Sequence, residues 1–187
     1  MIRALVVAAV LAASGEAWAA SLTLTDAEKQ TAIRAGVRST TQDGFDREWR
    51  VTTGGGESAS VFTPFYRLAL AARNAAFKKE TLKPAEVERV IKQDAGRLVV
   101  WVQLRGKSED FARFYAPRLL AGTREIPPAF VQNERTAVRQ EDGAYVARCV
   151  YGFPIQDLTG SARVALAVAD ADGRDVSRFT IDLGSMR

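Results

Sequence analysis

Histidine is absent from all 187 residues. That removes the commonest general base and the commonest zinc ligand, and it excludes Ser-His and Cys-His nucleophile pairs. Carboxylate, lysine and tyrosine chemistry stay open. Cysteine occurs once, at Cys149, so no internal disulfide can form. An exported chain of this length has core enough to do without one. Cys149 lies far from the N-terminal leader, so no acceptor thiol for an N-terminal lipid follows that leader. It alternates with Ala147 within Tyr145 to Tyr151, which predicts a buried, inert thiol rather than an intermolecular bridge or a nucleophile.

Long apolar runs are also missing beyond the first residues. Arg3 provides a positive start, Ala4 to Ala13 is unbroken Ala, Leu and Val, and Ala17-Trp18-Ala19 fits a small-x-small cleavage site. A run this short cannot cross a hydrocarbon core of ~30 Å at ~1.5 Å per residue. Residues 1–19 therefore read as a signal peptide cleaved after Ala19, which predicts a periplasmic or secreted protein without a stable membrane anchor. The leader removes one charge of each sign, Arg3 and Glu16, so the net charge of +4 is unchanged.

Ligand-binding motifs are scarce. Gly54-Gly55-Gly56 lacks the following Gly-Lys-Ser/Thr of a phosphate loop and reads as a connecting loop. Asp170, Asp172 and Asp175 surround Gly173 but lack the spacing and distal glutamate of an EF-hand, so they read as a solvated hairpin tip. No cofactor and no metal site is expected, and no catalytic residue is assigned. Arg113, Tyr115 and Arg118 interleave base with aromatic, and they are the candidate binding-surface residues. A net charge of +4 is too small to suggest nucleic acid and leaves room for weak attraction to anionic envelope polymers.

What is present is patterned. Gly96 to Gly106 sets Leu98, Val100, Val102 and Leu104 on one face and Val99, Trp101 and Gln103 on the other. A strand apolar on both sides predicts a central position. The Trp101 indole is then expected against the alanine-rich face of a helix; the alternative is an exposed ligand platform. Helical patterns precede this strand. Thr25 and Glu28 form a capping box before a helix from Asp26 to about Arg38. Thr63-Pro64 opens a helix to about Lys79 with Phe65, Leu68, Ala69 and Ala72 on one face, and Pro84 opens another that ends at Gly96. The last two form an αα-hairpin. Arg47 to Thr52 alternates as a half-buried strand. Strand patterns follow at Phe111 to Leu120, where Pro117 suggests an edge or a bend. More follow at Ala129 to Val138, at Tyr145 to Gly152, and on both sides of an Asp172-Gly173 hairpin turn.

The expected fold is α+β: a mainly helical N-terminal half, residues 20–95, packed on a C-terminal antiparallel β-sandwich, residues 96–187. The sandwich is Ig-like by analogy only, because the Cys…Trp…Cys pattern of antibody domains is absent. The expected function is non-catalytic: an exported binding or interaction protein of a bacterial-type envelope or secretion route. Its partner would be an envelope protein or an anionic polymer. The alternative is a cell-envelope hydrolase working through carboxylates, which a deep pocket holding two acids of raised pKa would favour.

Overall fold

The structure, a computed structural model, describes Ala20, residues 22–156 and residues 158–187. The predicted signal peptide lies outside the described residues. The first helix, α1 (Asp26–Arg38), begins at the expected capping box: Thr25 N–H donates to Glu28 Oε2 at 2.7 Å and Glu28 N–H returns to Thr25 Oγ1 at 3.3 Å. Two short strands follow, β1 (Arg50–Thr52) and β2 (Ser58–Phe62), joined by the glycine loop. Then come α2 (Pro64–Phe77) and α3 (Pro84–Gln93), each with proline in its first turn. α1 lies directly on α2. A Cβ on Gly36 would stand 2.0 Å from the Ala69 carbonyl oxygen, so only glycine allows this approach.

The remaining strands are β3 (Arg97–Gly106), β4 (Ala116–Ala121), β5 (Arg124–Ile126), β6 (Phe130–Gln132), β7 (Val138–Arg139), β8 (Tyr145–Pro154), β9 (Arg163–Ala169) and β10 (Asp175–Asp182). They form two antiparallel sheets. One runs β1-β2-β3-β8-β6, with β7 also on β8; the other runs β10-β9-β4-β5. The protein is thus α+β, with three N-terminal helices and two antiparallel sheets.

The core lies between the inner faces of the sheets. Leu98, Val100, Val102 and Leu104 of β3 and Ala147, Cys149, Tyr151 and Phe153 of β8 are all buried, and they alternate with outward residues. Leu119, Val164, Leu166, Val168, Phe179 and Ile181 supply the second sheet's contribution. This is the two-layer arrangement in which each sheet hides one face against the other. β3 is central, between β2 and β8, as its pattern predicts. Cys149 is 1% exposed, and burial pushes its thiol pKa up.

Several expectations need correction. Arg47 to Thr52 is not one strand: Arg47–Trp49 is a 3-10 turn and only Arg50–Thr52 extends. That turn drives Trp49 into the core, stacked on Tyr66 with ring centroids 4.5 Å apart and its Nε1 donating to Arg187 O at 2.8 Å. Ala129 to Val138 is interrupted, because Asn133 and Glu134 turn their side chains onto backbone elsewhere. Asn133 Nδ2 donates to Tyr115 O at 2.8 Å and Glu134 Oε2 accepts from Arg148 N–H at 2.5 Å. β4 is not an edge strand, yet β5 pairs only with Leu119 to Ala121. Pro117 therefore has no neighbour on that side, which is where a missing N–H does least harm. The β9–β10 turn has three residues rather than two: Asp170 N–H donates to Arg174 O, and Gly173 closes it at φ 80°. Finally β1 and β2, from the N-terminal half, extend the first sheet, so the two halves share one sheet.

Candidate functional site

The outer face of the first sheet changes character along β3. Val99 is 3% exposed, Trp101 is 55% exposed, and Gln103 is exposed as well. The reason is coverage. Val99 lies between Phe62, opposite it on β2, and the Phe130 ring seated on Gly152, its partner on β8, whereas Trp101 has Ser60 and Val150 opposite, so the same strand face passes from core to open floor. Trp101 therefore does look toward the helical half, but across a gap. The expectation that its indole is buried on the alanine-rich face of α2 is corrected.

The gap is a groove. Phe62, Trp101 and Val150 form its floor, Leu70 and Ala71 of α2 form one wall, and Val90 of α3 adds to it. The volume at this end is about 560 Å³. A second hollow of about 480 Å³ continues over Trp101 toward Arg50 and Arg148, sharing Phe62, Leu70, Gln132 and Val150. The Phe62 ring holds the indole from beside, centroids 4.9 Å apart and planes 34° from parallel. Phe130 closes the opposite side. A Cβ on Gly152 would stand 2.1 Å from that ring, so Gly152 gives the ring its seat. Strand pairing explains the grouping: Trp101 sits opposite Ser60 on β2 and Val150 on β8, with Gln132 beyond Val150 on β6.

Four amides ring this apolar floor: Asn74 and Gln93 on the helical side, Gln103 and Gln132 on the sheet. All four are exposed, and none of their side chains is hydrogen-bonded to another described residue. Two of the arginines nearby are engaged, and Arg148, exposed at the far end, has no side-chain partner among the described residues. Arg67, mostly buried, is ion-paired with Asp94 and donates through Nε to Phe62 O at 3.2 Å. Burial lowers its guanidinium pKa, and Asp94 opposes that shift. At the far end Arg50 contacts Asp46 at 3.4 Å and Ser58 Oγ at 3.3 Å. The groove can stack a flat apolar surface and hydrogen-bond the edges around it.

The sequence candidates lie elsewhere and do not converge. Arg113 is exposed in the segment before β4, its guanidinium 5.3 Å above the Phe114 ring. Tyr115 is half-buried, edge-on to Phe111 at 5.7 Å, and burial raises its pKa. Arg118, on β4 of the other sheet, pairs with Asp175 at 2.6 Å. The acids of the β9–β10 turn are likewise occupied. Arg174 holds Asp170 at 3.0 Å and Asp172 at 2.7 Å. No group of three or more potential metal-ligating side chains occurs among the described residues, and no described helix is long and apolar enough to cross a membrane. The sequence does carry one signal for the groove. Trp101 and Gln103 share a face, and a glutamine on a strand face is a mark of solvent.

No family model matches the chain, and no curated protein matches it. Two solved structures are similar in outline. A protein of unknown function from Burkholderia pseudomallei is 13% identical at a TM-score of 0.43, covering 85% of this chain and 88% of that one. The IgNAR antibody domain C1 is 12% identical at a TM-score of 0.33, covering 49% of this chain and 80% of that one.

Proposed function

We propose that this is an exported, non-catalytic binding protein of the cell envelope or secretion route, and that it takes its ligand in the groove centred on Trp101. The observation that carries the reading is the indole itself. A large aromatic left 55% exposed on a concave floor forgoes the burial that would stabilise it by roughly 1.5–3 kcal/mol. Aromatic anchors in such settings are the usual carriers of binding energy. The rival reading, hydrolysis by two carboxylates, needs a pair of acids facing each other. Asp94 is the carboxylate among the lining residues and is engaged by Arg67, while amides occupy the places around it.

Export rests on the leader sequence.

Acrylamide quenching tests the groove. The mature chain holds two tryptophans, Trp49 at 1% and Trp101 at 55% exposure. Emission from Trp101 should be quenched readily, and envelope material from the expressing bacterium should shield it. A Trp101 as inaccessible as Trp49, or one that envelope material leaves unshielded, would reject the groove as the binding site.

A further inference from the structure

Resting on the groove reading, we infer that the occupant is a saccharide chain, with one sugar ring lying flat on the Trp101 indole. The floor and rim differ in chemistry in the way a sugar does. A pyranose has a face of C–H groups and an equatorial rim of hydroxyls. The C–H face is a partner for the negative face of an aromatic ring. The hydroxyls need donors and acceptors together, and each amide side chain offers both. Trp101 supplies the face, and Asn74, Gln93, Gln103 and Gln132 supply the rim with their amides unengaged among the described residues.

Other occupants fit less well. A peptide adding to a sheet needs an edge with free N–H and C=O groups, whereas this floor is the face of strands paired on both sides. An acyl chain would leave four amides dehydrated without partners, at a cost for each. A polyanion would need free cations along the length, whereas Arg67 is bound by Asp94 and Arg50 contacts Asp46, which leaves Arg148 at one end as the cation without a side-chain partner among the described residues. The two hollows are continuous across Trp101. That suits a chain of sugars running through the groove, rather than one small molecule enclosed on most sides.

The test uses the mature protein on an array of immobilised glucose-, galactose-, mannose- and N-acetylglucosamine-containing oligosaccharides, beside an array of unmodified peptides. Retention on a subset of the saccharides is expected. Trp101→Ala should weaken it by about tenfold or more, equivalent to ~1.4 kcal/mol. Gln132→Ala should weaken it less. Phe114→Ala, at an aromatic 69% exposed outside the groove, should leave it unchanged. Failure to retain any oligosaccharide, or retention indifferent to Trp101→Ala, overturns the saccharide assignment. In that event a peptide retained through Trp101 leaves the groove reading standing, whereas a Trp101 that acrylamide cannot reach removes both.

Discussion

The Ser177 hydroxyl donates to the Glu57 carboxylate at 2.7 Å across 120 residues of chain. The other oxygen of that carboxylate accepts from the Arg105 backbone N–H at 3.2 Å. Glu57 follows the glycine loop between β1 and β2, Arg105 lies near the end of β3, and Ser177 is on the edge strand β10. One side chain therefore links the two sheets at a corner where no strand continues between them. Glu57→Ala should cost ~1–3 kcal/mol, since it leaves a buried hydroxyl and a backbone N–H without their acceptor. Glu57→Gln keeps one carbonyl oxygen and should cost about half as much. Urea melts would read both, and a neutral Glu57→Ala would show that water replaces the link.

Trp49 and Trp101 should respond in opposite ways. Trp49 is enclosed by Phe45, Phe65 and Tyr66 and donates to Arg187 O. Trp49→Ala should cost ~3–5 kcal/mol as a buried large-to-small change. Trp101→Ala loses chiefly the contact with Phe62 and should cost about 1 kcal/mol. Equal losses at the two sites in denaturant melts would mean that α2 and α3 close over Trp101 in solution.

Cys149 should resist a water-soluble alkylating reagent until denaturant is added. Its thiol is buried, and burial raises its pKa above the ordinary 9.0. The sign of the linked pH effect follows. The unfolded thiol ionises first, so this contribution is intact below its ordinary pKa and is lost as pH rises toward the raised folded value. Cys149→Ala should cost ~1–2 kcal/mol at neutral pH, and its stability should fall less steeply on the alkaline side. Rapid labelling of the native protein would rule out the buried placement.

Gly36→Ala sets two effects against each other. Helix propensity favours the alanine by about 1 kcal/mol. The new methyl would fall 2.0 Å from the Ala69 carbonyl oxygen, and overpacking of this kind costs ~1–3 kcal/mol, occasionally more. Backbone cannot swing aside as a side chain can, so the variant should be destabilised. A higher melting temperature would show that α1 and α2 stand further apart than described.

Local chemistry decided the helices and the inner face of the sandwich. Thr25 with Glu28, Pro64 and Pro84 mark helix starts through groups a few residues away. The alternation at Leu98 to Leu104 reports the pleat of β3 without reference to any partner. Cys149 was placed inward by the same alternation. The tight turn at Arg47–Trp49 escaped because three residues are too few to show a period of their own. β2 escaped because Ser58 to Phe62 carries only a short apolar signal. The groove belonged chiefly to the tertiary structure, with Gln103 on the face of Trp101 as its one trace in the sequence. Periodicity tells which side chains share a face, and it is silent on what covers that face. Val99 and Trp101 stand two residues apart on one face, yet one is buried and the other open, because Val99 lies between Phe62 and Phe130 of neighbouring strands while Trp101 has Ser60 and Val150 opposite. Coverage of that kind is fixed by which side chains other parts of the chain bring alongside.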